Sequence, residues 1–422
     1  MFRAPRGTQD LLPEEAPYWR RVEEVIHQVC RRYGYRLIAT PTFEETSLFV
    51  RGVGQGTDIV EKEMYSFEDK GGESLTLRPE ATAPVVRAYL EHGMHALPQP
   101  VKLYSIISIF RYERPQAGRL REAHQLNVEA LGEMDPALDA EVLCLALDLY
   151  RELGLSGLSL QLNSTGCPRC RPAYIQELKR YYLGHLGQIC SDCQLRYGKN
   201  PLRLLDCKVD RCQPILAGAP NIRSHLCPEC AGHFVQLLKY LDLLGLPYTI
   251  NPRLVRGLDY YTKTVCEVWA PGIGAQNAVG GGGRYDGLAR ELGGRPTPGI
   301  GIAMGIERIV MTMKSQSIAV RPEEPPRVFL AYLGQPAKEA ALRLSATLRA
   351  AGLSAICSFG DRSLKAQLKQ AGNSGAAYAV ILGEEELKRG LVTLRDMARS
   401  QQVSVEIEGL PDRLRPTEAG NV

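Results

Sequence analysis

Eight of the twelve cysteines in this 422-residue chain fall within one stretch, from Cys167 to Cys230. They are spaced Cys167-x2-Cys170, Cys190-x2-Cys193, Cys207-x4-Cys212 and Cys227-x2-Cys230. Around them, over residues 165–235, cysteine pairs, tyrosines and basic residues replace the aliphatic pattern, which marks an inserted subdomain. An insert with so few large aliphatics needs a staple. The amino terminus, MFRAPRGTQDLLPEEAPYW, carries no secretory run, and no window reaches the roughly 18 apolar residues of a membrane span. The expectation is a cytoplasmic protein without a membrane partner, and a reducing compartment favours metal ligation over disulfides. Eight thiolates suffice for two tetrahedral zinc sites, so one or two structural Zn²⁺ are expected. Buried free thiols, a redox pair and an iron–sulfur cluster remain open. His185, His225 and His233 lie near enough in sequence to replace a cysteine, so the pairing is open too.

Over the whole chain the composition is that of an ordinary globular protein, 44% hydrophobic and 23% charged, and the length suffices for two or three domains. A formal charge of +4 is compatible with a nucleic-acid partner without arguing for one. Residues 14–34 place Trp19, Val22, Val25, Ile26 and Val29 at helical spacing and close at Gly34. SLTLRPEATAPVVRAYLEHG reads as a strand and then a helix starting near Thr82. VKLYSIISIFRYE and HQLNVEALG read as strands joined by a charged hairpin, which favours an antiparallel sheet. After the Pro-containing linker 314–327, alternating strands and helices predict a small α/β domain with a largely parallel sheet.

Three segments carry candidate chemistry. VGGGGRYDG, residues 279–287, fits neither the phosphate loop nor the dinucleotide fingerprint. It predicts a tight turn that holds Arg284, Tyr285 and Asp286 at a bend. FRYERPQAGRLR offers Arg111, Arg114, Arg119 and Arg121 around Glu113, either as a solvated basic hairpin or as guanidinium forks for phosphate. LVRGLDYYT, residues 254–262, puts Arg256 and Asp259 after an apolar approach and before two adjacent phenols. An unpaired buried charge costs several kcal/mol, so Arg256 is either half of a salt bridge at a strand end or a fixed cation facing an anionic substrate. Arg308 begins a helix amid apolar neighbours. Glu80 and Thr82, at a strand-to-helix junction, suit either a cap or an ammonium site.

Taken together, LTLRPEAT, FRYERPQAGR with HQLNVEALG, LVRGLDYYT, GGGRYDG and GIGIAMGIERI closely resemble the histidyl-tRNA synthetase family, in its order, from RGTQDLLPEE to the C-terminal domain. The resemblance implies an α+β fold of class II synthetase type, an antiparallel sheet flanked by helices, with the Cys-rich insert and a C-terminal α/β domain. The implied division is a catalytic core in two parts (1–164 and 236–320), the insert (165–235) and an anticodon-binding domain (327–422). It implies attachment of histidine to tRNA(His) through histidyl-adenylate, with ATP and Mg²⁺, by a homodimer built partly around Pro41. By resemblance Arg256 is catalytic, reaching the α-phosphate of ATP and the carboxylate of histidine. Glu80, Ala81, Thr82, Arg111, Gln125, Glu129, Tyr260 and Tyr261 would hold histidine. Arg111, Glu113, Arg119 and Arg308 would hold ATP, and Arg114 and Gln116 would face the acceptor end of the tRNA. The chain departs from the family pattern at Ala81, in place of glycine, at Ala123, in place of a phenylalanine that stacks on adenine, and at Leu120, in place of tyrosine. Loss of that stacking face costs about 1 kcal/mol of ATP binding unless Tyr112 or another ring substitutes. An enzymatically inactive regulatory subunit of ATP phosphoribosyltransferase and another class II synthetase are the rival readings.

Overall fold

The computed structural model describes residues 2–116, 118–272 and 277–415. They divide into two compact units, Met1–Val320 and Arg321–Val422. In the first unit the β-branched run Val101–Phe110 pairs antiparallel with Glu122–Leu131, from Val101 opposite Leu131 to Phe110 opposite Glu122. This hairpin lies within an eight-stranded sheet. From one edge the order is Arg36–Leu37, Val101–Phe110, Glu122–Leu131, Gly299–Gly305, Ala278–Arg284, Thr262–Trp269, Ser159–Ser164 and Tyr248–Ile250. The interior pairs are antiparallel, as expected, whereas the short strand at each edge pairs parallel with its neighbour.

Strand alternation divides the sheet into two faces. Leu126, Val128, Ala130, Val268, Ile300, Ile302 and Met304 point into the main core. The helices that cover this core are Ala16–Arg32, Pro136–Glu152, Pro228–Leu243 and Ile306–Ser315. The first of them buries Trp19, Val22, Val25, Ile26 and Val29, the residues at helical spacing in the sequence. The second starts at a strong signal: the Asp135 side chain accepts from Ala137 N at 2.8 Å, with proline in the first turn. The other face carries Gln125, Asn127, Glu129, Gly281 and Gly301, beside the apolar Val101, Leu103, Ile107, Ile109, Leu131 and Val265.

Gly280–Gly283 form no turn. They are the middle of the strand Ala278–Arg284, paired antiparallel on both sides. Glycine is needed because neighbouring groups occupy the space of a side chain: a Cβ at Gly282 would lie 2.0 Å from Gly301 O, and one at Gly280 would lie 2.5 Å from the Tyr150 hydroxyl. The bend comes one residue later, after Arg284.

The insert has its own small core of Tyr174, Leu178, Tyr182, Leu204, Leu205, Ile215 and Ile222, packed against four of the cysteines. Its last helix, Pro228–Leu243, continues past residue 235 and gives Phe234, Leu237 and Leu241 to the main core. The second unit has a five-stranded sheet in the order Ala355–Cys357, Val328–Tyr332, Tyr378–Leu382, Leu391–Asp396, Gln402–Glu406. Only its first two pairings are parallel; the last two strands add antiparallel, so the sheet is mixed instead of largely parallel.

A buried carboxylate ties the first unit together. Asp139, on the helix Pro136–Glu152, is fully buried and takes three donors: Arg284 Nε at 2.9 Å, Thr264 Oγ1 at 2.6 Å and His233 Nε2 at 2.8 Å. Arg284, also fully buried, completes its fork on Glu133 O and Asp286 Oδ1. Removing one member of such a set strands the others without compensation, at about 3–5 kcal/mol. Asp139→Ala should therefore lower the unfolding free energy read from the first urea transition by that margin. A shift under about 1 kcal/mol would mean that water repairs the site.

Candidate active site

The polar face of the large sheet floors a cleft of about 650 Å³. Every residue assigned by resemblance to histidine or ATP lines it: Glu80, Ala81, Thr82, Arg111, Glu113, Arg119, Gln125, Glu129, Arg256, Tyr260, Tyr261 and Arg308. Arg114 and Gln116 do not; both are exposed on the hairpin, where Gln116 pairs with Arg119.

Glycines make the floor. A Cβ at Gly281 would meet Nη1, Cζ and Nη2 of Arg256 at 2.7–2.9 Å, so the guanidinium lies against bare backbone. A Cβ at Gly301 would meet Glu129 Oε2 at 1.9 Å. Arg256 pairs through Nη1 with Glu267, whose other oxygen accepts from Trp269 Nε1 at 2.8 Å. Its Nε is buried without a hydrogen-bond partner. Arg256 is thus half of a salt bridge and also lines the cleft. Asp259 turns away and accepts from Asn200 Nδ2 at 3.0 Å.

At the acidic end, Glu80 caps the helix Thr82–Glu91, accepting from Thr82 N at 2.8 Å and Ala83 N at 2.9 Å. It also takes the Tyr260 hydroxyl at 3.3 Å. Burial pushes its carboxyl above the usual range despite these donors. Thr82 Oγ1 donates to Glu129 Oε1 at 2.7 Å, and the Tyr285 hydroxyl donates to Glu129 Oε2. Burial raises Glu129 to about 8, against the pull of those two hydrogen bonds. Ala81 sits at φ −104°, where a glycine is not required.

The arginines come from the hairpin and from the helix Ile306–Ser315. Arg111 Nε donates to Pro79 O at 2.7 Å, and Arg308 is held by Gly118 O at 2.9 Å and by Ala278 O. Arg119 Nη1 lies 3.2 Å from Glu113 Oε2, close enough for an ion pair, but that buried oxygen receives no aligned hydrogen bond. Tyr112 does not replace the missing aromatic face at Ala123. Its ring packs under Arg121, 3.8 Å from ring centroid to Cζ, and beside Tyr65, and it does not line the cleft.

The cysteines sort into two sets. Cys167, Cys170, Cys227 and Cys230 form an outer cluster and Cys190, Cys193, Cys207 and Cys212 an inner one, with all sulfurs of a set within 4.8 Å of one another. The S···S distances are 3.7 Å for Cys167–Cys170, 3.8 Å for Cys167–Cys227 and 3.9 Å for Cys170–Cys230 and Cys190–Cys207. These are far beyond a disulfide. They match the edge, about 3.8 Å, of a tetrahedron with 2.3 Å metal–sulfur bonds. No histidine belongs to either set: His233 serves Asp139, while His185 and His225 pack on tyrosine rings. Beside the inner cluster, Arg196, Arg203 and Lys208 also line the cleft, so the insert forms part of its wall.

A family model for histidyl-tRNA synthetase matches residues 7–169 and 209–309, and a model for an anticodon binding domain matches residues 327–417. The chain belongs to the histidyl-tRNA synthetase family. A histidine–tRNA ligase of Dehalococcoides mccartyi is 53% identical over 410 residues, 97% of this chain and 98% of that protein. One of Pelotomaculum thermopropionicum is 54% identical over 411 residues, 97% of each chain. The crystal structure of apo histidyl-tRNA synthetase from S. aureus superposes with a TM-score of 0.81 at 37% identity, covering 98% of this chain and 100% of that one.

The motifs that mark the family left several cleft residues unnamed. Tyr285 was grouped with Arg284, but the two part ways: Arg284 goes to Asp139 on the core side and Tyr285 to Glu129 in the cleft. Glu267, the partner of Arg256, had a signal in the sequence, as the one carboxylate in the apolar run TVCEVW. Glu307, which accepts from His124 N at 2.9 Å and from its Nδ1 at 2.8 Å, had none beyond its place beside Arg308.

Proposed function

We propose that the chain is a histidine–tRNA ligase of class II, attaching histidine to tRNA(His) with ATP through a histidyl-adenylate intermediate. The observation that carries this reading is Arg256, laid on Gly281 in the lining of the cleft that also holds the Glu80–Thr82–Glu129 acid pocket. Attack of the histidine carboxylate on the α-phosphorus displaces pyrophosphate and builds negative charge on the phosphoryl oxygens. A cation already fixed by Glu267 stabilises that charge without reorganising. Glu80, Ala81, Thr82, Gln125, Glu129, Tyr260 and Tyr261 bind the amino acid, where carboxylates and phenols meet the ammonium and the two imidazole nitrogens. Arg111 reaches both substrates, and Glu113, Arg119 and Arg308 bind ATP. Mg²⁺ would spread the phosphate charge when bound, and the Glu113 carboxylate in the cleft would hold it. Arg114 and Gln116, exposed on the hairpin, meet the acceptor end. The regulatory-subunit reading is disfavoured, since relatives matched over nearly the full length are ligases and the second unit matches an anticodon-binding model.

Each cysteine cluster holds one structural Zn²⁺, a closed site of four thiolates that takes no part in adenylation. Two copies of the chain pair through the region around Pro41. The support is an apolar patch there, with Leu37, Phe43 and Phe67 about half exposed and the two phenylalanine rings 6.4 Å apart.

Histidine alone should support ATP–pyrophosphate exchange; exchange with another amino acid instead, or with none, would reject the reading. Arg256→Ala should slow that exchange by roughly 10²–10³ with a much smaller change in histidine affinity. Gly281→Ala, which displaces the guanidinium, should slow it too, and the double variant should be no slower than Arg256→Ala. A rate within a few-fold of the parent would sink the role of Arg256. With Glu129 raised to about 8, its anionic form appears only as pH climbs through that value. The kcat/KM for histidine should accordingly rise across about pH 7–9, and Glu129→Gln should flatten that limb. A limb that survives the substitution belongs to another group. Elemental analysis should find two zinc and no iron per chain, and chelation should first raise hydrogen exchange in residues 165–235; fewer than one zinc rejects the metal assignment.

A further inference from the structure

The outer cluster touches the cleft through a short chain of contacts. Arg171 follows Cys170 directly and opens the helix Arg171–Leu183. Its guanidinium turns back across the knuckle: Nε donates to Thr165 O at 3.0 Å, and Nη2 donates to Gly166 O at 3.4 Å, Thr165 Oγ1 at 3.3 Å and Tyr261 O. Tyr261 lines the cleft, and its neighbour Tyr260 donates to Glu80. The second knuckle reaches the same place. Glu229, between Cys227 and Cys230, lies 3.2 Å from Lys263 Nζ, and Asp286 holds that ammonium from another side at 3.1 Å. Lys263 adopts φ 50°, a left-handed conformation that a non-glycine residue keeps only where its surroundings impose it. Its backbone is fixed on both sides, with Lys263 N donating to Gly166 O at 2.8 Å and Thr165 N donating to Lys263 O at 2.8 Å. Each half of the outer cluster thus delivers one charged side chain to the segment that positions the two phenols.

We infer that Arg171 is a positioning residue for the histidine site, through which the outer thiolate cluster and its metal set the affinity of the chain for histidine. The proposal rests on the histidine and zinc assignments above and adds that metal occupancy and amino-acid binding are linked. The physical reason is that Arg171 is the residue after a ligand. Its Cα is placed by the Cys167–Cys170 knuckle, and its guanidinium spans the distance to Tyr261 O. A loosened knuckle releases the carbonyl, and with it the angle of the Tyr260–Tyr261 wall.

The test uses full-length protein as purified, with three measurements on each variant: zinc content, histidine binding by calorimetry, and separate KM values for histidine and ATP in pyrophosphate exchange. Arg171→Ala should retain all its zinc, weaken histidine binding and raise its KM by about tenfold, the scale of a lost hydrogen bond from a charged group, and leave the KM for ATP within about twofold. Arg171→Lys, able to reach one carbonyl, should recover part of the loss. Cys167→Ser should lose one zinc and weaken histidine binding by a similar factor, and adding Arg171→Ala to it should bring little more. Unchanged histidine affinity in Arg171→Ala, or equal rises in both KM values, would overturn the positioning role. Undiminished affinity after loss of the outer zinc would overturn the linkage. A parent protein without zinc whose Arg171→Ala variant still binds histidine weakly would overturn the metal's share and uphold that of Arg171. Absence of histidine-dependent exchange in the parent, by contrast, would be a failure of the enzymatic reading itself.

Discussion

Asp139 has no contact with water, and its two oxygens serve an arginine, a threonine and a histidine from separate elements. A buried charge is tolerated only when its partners are held in place. Here the helix Pro136–Glu152, two strands of the large sheet and the last helix of the insert all converge on one carboxylate. Much of the cleft follows from it. With Arg284 committed to the core side, the next residue, Tyr285, must emerge on the other face, where its hydroxyl finds Glu129. With Thr264 committed as well, the segment Tyr260–Lys263 has a fixed end from which it runs along the cleft wall.

What the sequence reveals and what it hides divide along side-chain information. The helix Ala16–Arg32 was legible because its apolar residues recur at helical spacing, and the hairpin Val101–Phe110/Glu122–Leu131 because an apolar, β-branched run emerges there into charge. The cleft was legible through resemblance, since LVRGLDYY and GGRYDG carry unusual residue types in a fixed order. The glycine run reads as a turn in the sequence because a segment without side chains has no period, and glycine more often marks turns. The antiparallel strands at the end of the second sheet were set by tertiary pairing that no local pattern encodes. Cysteine spacing announced the knuckles but not which of them meet. The answer is nested, the first pair with the fourth and the second with the third.

That nesting gives the insert two unequal attachments. The outer cluster lies where the insert leaves and rejoins the sheet, so its neighbours Arg171 and Glu229 reach Tyr261 and Lys263. The inner cluster lies farther along the excursion, where Arg196, Arg203 and Lys208 add positive charge to a cleft that already has Arg111, Arg119, Arg256 and Arg308. The acid pocket keeps Glu80 and Glu129 out of water, which raises both carboxyls.

The strand Ala278–Arg284 has a further consequence. A strand ordinarily fixes its register by the side chains it buries, because a slip of one residue would turn each of them to the wrong face. Four consecutive glycines are interchangeable in that respect, like an unmarked length of ruler. Alignment must therefore be read at the ends, and Arg284, clamped on Asp139, is the graduation mark. The pairing is irregular at both ends of the run, between Ala278 and Gly280 and between Gly283 and Arg284, so spare length is taken up there instead of beneath Arg256. The seat of the Arg256 guanidinium is thus indexed by an arginine on the opposite face of the sheet.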